Sequence, residues 1–397
     1  MAAHVSMRTL APAESAAGAA PSRSEGRRRA EDDGESNPGG CKLQVRGLRK
    51  TYGDIVALHG ADLELRDGEF LTLLGPSGSG KTTLLLAIAG LNEPDSGEIH
   101  IDGRLATYLP PFKRDLGMVF QNYALFPHMT IFDNIAFPLK MRRRPAADIA
   151  TAVAHVLDIV QLPGLADRYP RQLSGGQQQR IALARALVYE PSVILMDEPL
   201  GALDKKLRDR LQLEIKQLHR ELDIAVLYVT HDQEEALVMS DRICLMRDGR
   251  IEQLGTPEDL YFRPRTVFAA DFLGESNLLA GRFVSHDNGL AEVELDDGTR
   301  LTGTSEVRLE AGRRVRVMVR PEALRMLRDG ETADNELRAV LRDVVMSGGT
   351  TLHLFGTPGG VELAARRLTD GLGEARRPGD AVRLGFSSTH AIIIPES

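Results

Sequence analysis

The chain has 397 residues, more than one compact unit of ordinary size holds, and 42% of them are hydrophobic, enough for substantial cores. No uninterrupted apolar stretch reaches the roughly 20 residues of a membrane-spanning helix, and a formal net charge of -7 excludes the global basic field of a general nucleic-acid binder. Two cysteines, Cys41 and Cys244, are too few for a disulfide framework or a four-ligand zinc site, which fits a reduced, cytosolic setting. Residues 1–41, rich in Ala, Ser, Gly, Arg and Glu, are expected to form a disordered N-terminal tail without the apolar core of a secretion signal.

From Lys42 the pattern turns to short β-rich runs alternating with amphipathic helical stretches, the signature of an α/β domain with a largely parallel sheet over residues 42–277. Strands are expected at Glu69 to Leu74, Val193 to Met196 and Ala225 to Thr230, each apolar enough for burial on both faces and each ending at a polar residue. Open α/β sheets bind ligands at such strand ends.

After the first of these comes Gly75-Pro76-Ser77-Gly78-Ser79-Gly80-Lys81-Thr82, which matches the G-x-x-x-x-G-K-[ST] phosphate loop, with a helix from Thr83. Its glycines let successive N–H groups point at phosphate oxygens, and the following helix adds its positive end. Lys81 is a point charge for β- and γ-phosphates of ATP, and the Thr82 hydroxyl is placed to coordinate Mg²⁺. The strand Val193 to Met196 delivers two adjacent carboxylates, Asp197 to hold the metal and Glu198 to polarise an attacking water.

Beyond Leu278 short strand-like runs (Ala291 to Leu295, Val315 to Val319, Ala339 to Val345, Thr351 to Phe355, Ala381 to Phe386) are divided by Gly, Asp and Pro, with turn signals at Asp297-Gly298 and Pro378-Gly379. Residues 278–397 therefore read as a small all-β barrel domain.

The segment Leu173-Ser174-Gly175-Gly176-Gln177, between the phosphate loop and Asp197-Glu198, resembles the signature motif of ABC ATPases. That resemblance implies a phosphate-loop cassette with a helical subdomain, followed by an OB-like accessory barrel. It also implies a homodimer in which each ATP lies between one copy's phosphate loop, Gly75 to Thr83, and Ser174, Gly175, Gly176 and Gln177 of the other. The resemblance makes Gln121 the glutamine that touches Mg²⁺ and the attacking water, His231 the residue that contacts the γ-phosphate, and Tyr52 the ring that stacks on adenine. Leu203-Asp204 is similar to the loop that communicates between the two sites, with Gly201 where many relatives carry Ser; Phe126 to Asn134 falls where importers meet their permeases.

Without membrane helices, coiled-coil insertions or a second cassette, the chain resembles a stand-alone importer subunit at the cytoplasmic face of the membrane, paired with separate permeases and served by a solute-binding protein. Phe272 to Asn277 and Glu198 to Lys205 look most like spermidine/putrescine importer ATPases, with ferric-iron, sulfate and sugar importers as alternatives and a non-transport ABC ATPase as a remote one.

Overall fold

The computed structural model describes residues 40–201, 204–287, 289–369 and 376–396. Residues 1–39 of the expected tail, and Leu203 of the Leu203-Asp204 pair, lie outside the described residues, whereas Cys41 already opens a strand.

The described residues open with antiparallel structure where alternating α/β units were expected. Strands β1 (Cys41–Tyr52) and β2 (Ile55–Arg66) form a hairpin. Leu43, Val45 and Leu48 of β1 point inward, and the register shifts between Val45 and Leu48, where Gly47 takes a positive φ of 55°. This bulge inserts an extra residue and hides the alternation in the sequence. After β3 (Phe70–Leu74) and helix α1 (Lys81–Ala89), β4 (Ser96–Ile101) and β5 (Arg104–Leu105) complete a four-stranded sheet in the order β2-β1-β4-β5.

Next come β6 (Leu116–Val119), three helices α2 (Ile131–Met141), α3 (Ala146–Ile159) and α4 (Gly175–Leu187), β7 (Val193–Asp197), α5 (Lys205–Leu222), β8 (Ala225–Thr230), α6 (Gln233–Met239), β9 (Arg242–Arg247) and β10 (Arg250–Gly255). The second sheet has the order β10-β9-β3-β8-β7-β6, parallel throughout except for the edge strand β10. Its inner strands β3, β7 and β8 are buried on both faces, and successive residues serve different cores. Leu71, Leu73, Leu195, Leu227 and Val229 pack with α1 and the antiparallel sheet, whereas Phe70, Ile194, Met196, Val226 and Tyr228 pack with α2 to α5. Helices α1 and α4 therefore lie on opposite sides of the sheet.

Short helices α7 (Pro257–Phe262) and α8 (Val267–Phe272) lead into an all-β unit of β11 (Asn277–Asp287), β12 (Leu290–Leu295), β13 (Arg300–Gly303), β14 (Arg314–Val319), β15 (Arg325–Met326), β16 (Asn335–Ser347), β17 (Thr350–Gly356), β18 (Glu362–Leu368), β19 (Ala381–Phe386) and β20 (Ala391–Pro395). The barrel-like unit is built from two five-stranded antiparallel sheets, β13-β12-β11-β14-β20 and β15-β19-β16-β17-β18. Both contribute to one core, which joins Leu279, Phe283 and Val317 to Leu341, Phe355 and Leu384. At the Asp297-Gly298 turn the Gly298 N–H donates to the Leu295 carbonyl (2.9 Å); at Pro378-Gly379 the Asp380 N–H donates to Arg377 (3.0 Å). The unit is seated on α8 through a small apolar cluster of Ala270, Met318, Ile392 and Ile394.

Candidate active site

The phosphate loop links the end of β3 to α1 in a course that only glycine permits at its first position. Gly75 has φ 153°, and a Cβ there would stand 2.2 Å from the Met246 carbonyl oxygen on β9. Gly80 caps α1 in the left-handed region, and the first N–H groups of a helix have no acceptor within it, so they face the loop's concavity as anion donors. Pro76, Ser77 and Gly78 form the outer side of the loop, with Ser77 and Gly78 exposed and Ser79 buried. The Lys81 ammonium folds back on the loop and donates to the carbonyls of Gly75 (2.8 Å) and Pro76 (2.9 Å) and to Ser79 Oγ (3.4 Å). Thr82 is exposed on the first turn, and Thr83 half-buried beside it.

Neighbouring strands bring the remaining groups to the same edge. Asp197 ends β7, and its Oδ1 accepts from Thr82 Oγ1 at 3.5 Å. Glu198 follows with a left-handed φ of 44° and donates its N–H to the Val229 carbonyl (3.0 Å). His231 follows β8 and places Nδ1 3.1 Å from Glu198 Oε2. Gln121 follows β6, and its Nε2 lies 3.7 Å from the point where a side chain on Gly201 would begin, with Glu198 Oε2 3.8 Å from that point. Groups from the ends of β3, β6, β7 and β8 thus converge at the carboxyl edge of the parallel sheet.

Burial first, and then the Glu198 charge, raise the Asp197 carboxyl above the usual range against the opposing pull of Thr82 and Lys81. Burial likewise lowers the Lys81 ammonium, while Glu198 and Asp197 oppose that shift. A divalent cation beside Asp197 would relieve both the burial and the crowding of charge. Thr82 Oγ1 and Asp197 Oδ1 are hard oxygen donors of the kind Mg²⁺ takes, with phosphate oxygens and water filling its other positions. Among the described residues no cluster of three or more His, Cys, Asp and Glu side chains could hold a metal ion.

The other sequence-predicted residues fall into two places. Tyr52 ends β1 46% exposed; its hydroxyl accepts from Asn92 Nδ2 (2.9 Å), and the Lys50 ammonium lies 5.5 Å from its ring centroid. Ser174 caps α4 in a reciprocal box: its Oγ accepts from the Gln177 N–H (3.4 Å), and its N–H donates to Gln177 Oε1 (3.0 Å). Gly175 opens this helix half-buried, but Gly176 is turned inward, where a Cβ would meet Leu207 and Leu211 of α5 at 3.5 Å. Its bareness therefore faces α5 and not solvent. Asp204 caps α5, accepting from the Leu207 N–H at 3.0 Å.

Sequence reasoning missed the residues that hold these loops. Asn134, fully buried in α2, accepts from the Phe126 N–H (2.8 Å) and donates to the carbonyls of Phe126, Met129 and Thr130, which shapes the segment after Gln121. Arg185 of α4 grips the carbonyls of Tyr123 and Ala124. Arg208 of α5 pairs with Asp232 (2.8 Å), whose other oxygen caps α6. An isolated Asn or Arg in a helical run carries no signal of such contacts.

A glycine-cradled anion site flanked by a hydroxyl, two carboxylates, a glutamine and a histidine at one sheet edge defines a phosphate-loop nucleotide-binding cassette. The ABC transporter family profile matches residues 58–201, and that of the TOBE domain matches residues 317–394. The chain is 44% identical to the spermidine/putrescine import ATP-binding protein PotA of Rubrobacter xylanophilus, over 91% of this chain and 95% of that protein. It is 45% identical to the protein of the same description from Thermobifida fusca, over the same shares of 91% and 95%. Among solved structures, cbiO1 from Clostridium perfringens, described as part of the ABC transporter complex cbiONQ, is 29% identical with a TM-score of 0.52, covering 56% of this chain and 90% of its own. The chain belongs to the ABC transporter family and is an ATPase of the ABC type. Among the described residues no helix is long and apolar enough to cross a membrane.

Proposed function

We propose that this chain is the ATP-hydrolysing subunit of a polyamine importer, working as a head-to-tail homodimer on the cytoplasmic face of a membrane beneath separate permease subunits. The solute class rests on the likeness to the two spermidine/putrescine import proteins across more than nine-tenths of the chain. The catalytic reading rests on one contact above all, Glu198 Oε2 against His231 Nδ1 at 3.1 Å, set beside the phosphate loop.

The phosphate loop, its N–H groups and Lys81 hold the β- and γ-phosphates, with Lys81 exchanging loop carbonyls for phosphate oxygens. Tyr52 offers its ring face to adenine. Thr82, Asp197 and Gln121 would hold Mg²⁺, which when bound supplies charge neutralisation at the β- and γ-oxygens. Glu198 takes a proton from a water as that water's oxygen bonds the γ-phosphorus, the bond to the β,γ-bridging oxygen breaks, and ADP leaves with the electron pair. The Glu198 carboxylate engages His231 at Nδ1, and Nε2 is the ring nitrogen left to meet a γ-phosphate oxygen.

Because α4 and α1 pack on opposite faces of the sheet, Ser174, Gly175 and Gln177 at the start of α4 are read as serving the phosphate loop of another copy and not their own. A second copy, reversed, would bring them onto the γ-phosphate, where the Ser174 hydroxyl hydrogen remains free to donate because its oxygen accepts the capping bond. Within the segment Phe126 to Asn134, the exposed Pro127 and His128 offer the surface for the permease, and the buried Asn134 holds them in place. The test is ATP hydrolysis by the chain assembled in liposomes with its permeases and binding protein, offered spermidine, putrescine, ferric ion, sulfate or maltose. Stimulation by a polyamine alone supports the proposal; stimulation by another solute discards the polyamine and keeps the importer; no stimulation by any solute removes the transport reading.

A further inference from the structure

His231 is followed by two anchored residues. Asp232 is fixed to α5 by Arg208 (2.8 Å). Gln233 opens α6, and its Oε1 accepts the N–H of Gly274 at 2.8 Å, although Gly274 lies forty-one positions on, past α8. The Gly274 carbonyl in turn accepts from Arg320 Nη1 (3.3 Å) at the end of β14.

Arg320 is only 4% exposed, and its acceptors are neutral: the Tyr261, Ala270 and Glu275 carbonyls and the Ser276 hydroxyl, besides Gly274. Its guanidinium lies 4.1 Å above the Tyr261 ring. A buried cation spent on the carbonyls around α7 and α8 makes one rigid piece of that segment and the β-unit. The same segment is packed against α6, since Ala236 shares an apolar cluster with Leu260, Ala269 and Leu273.

We propose that Gln233 is a positioning residue that ties the seat of His231 against Glu198 to the placement of the β-unit, through Gly274 and Arg320. A shift of this rigid piece against α6 moves the Gly274 N–H, releases or tightens Gln233, and changes the lie of His231 two residues earlier. The β-unit is thereby a control element for the chemical step. This inference rests on the reading of His231 and Glu198 as the pair that carries hydrolysis.

The experiment compares steady-state ATP hydrolysis by the full-length chain as wild type, Gln233→Leu, Gln233→Glu, Arg320→Lys, the Gln233→Leu/Arg320→Lys double variant and His231→Ala, with thermal midpoints for each. Leucine keeps the bulk of Gln233 but accepts nothing; glutamate still accepts the Gly274 N–H. The expected result is a loss in kcat of about three- to tenfold for Gln233→Leu at unchanged KM for ATP and unchanged midpoint, with near-wild-type kcat for Gln233→Glu. Arg320→Lys lowers kcat in the same sense, and the double variant falls no further than the worse single one, as two links of one chain require. Wild-type kcat in Gln233→Leu, an equal loss in Gln233→Glu, or independent losses that multiply in the double variant would each overturn the relay. His231→Ala separates this failure from that of the underlying reading: wild-type kcat there removes His231 from the chemistry, and the relay with it.

Discussion

Arg185 donates from Nη1 to the Ala124 carbonyl at 2.7 Å and from Nη2 to the Tyr123 carbonyl at 2.9 Å, which fastens the signature helix to two consecutive residues in the left-handed region, φ 59° and 46°. Each such residue costs roughly 1–2 kcal/mol, so the turn persists because the fork of one guanidinium holds it. Arg185 also lies 5.6 Å from the Phe126 ring, and thereby joins α4 to the surface assigned to the permease. Arg185→Ala should lose about 1.5–3 kcal/mol in a denaturant midpoint experiment and lose permease stimulation more than basal turnover. Arg185→Lys should recover only part, because one ammonium is no planar fork.

Gly75→Ala tests the loop's close approach. With φ at 153° and a Cβ 2.2 Å from the Met246 carbonyl, the substitution must move β3 against β9. The backbone term alone costs about 1–3 kcal/mol, and ATP binding, read by a fluorescent nucleotide analogue, should be lost.

Gly201 gives the opposite forecast. Its φ is not in the left-handed region, and a Cβ would meet its neighbours at 3.5 Å or more, which is ordinary contact. Gly201→Ala should therefore stabilise the chain by about 0.4–1 kcal/mol through the unfolded state, as a rise in the urea midpoint would record. A fall in the midpoint would mean that the space beside Gln121 and Glu198 is tighter than these contacts imply.

Asp197 sets a pH dependence whose sign follows from its environment. Burial and Glu198 raise its carboxyl in the folded chain, so the charged form costs stability above that raised value, and the cost disappears as pH falls through it. Asp197→Asn should melt a few degrees higher than wild type at neutral pH, with the difference shrinking in acid, while ATP hydrolysis is abolished.

What the sequence disclosed and what it hid follow from how local each feature is. The phosphate loop, the Asp197-Glu198 pair and Ser174 lie in contiguous motifs whose residue types name their chemistry, and the structure gathers Thr82, Asp197, Glu198, His231 and Gln121 at one edge. The antiparallel opening sheet was illegible because the bulge at Gly47 breaks the period-two pattern of β1. Gly176 looked like a partner-facing glycine, yet which side of α4 it occupies depends on Leu207 and Leu211, far along the chain. Arg320 follows the strand-like run Val315 to Val319, and nothing local marks it, because its carbonyl partners around α7 and α8 are tertiary facts.

The central claim is that hydrolysis occurs between two copies with Glu198 as the base. Its most direct test is phosphate release and oligomeric state of wild type and Glu198→Gln, measured together with Mg-ATP by a phosphate sensor and sedimentation. The account predicts that Glu198→Gln binds ATP, accumulates as a closed dimer and loses nearly all turnover. Wild-type turnover in Glu198→Gln, or full activity of a species that stays monomeric, would contradict it.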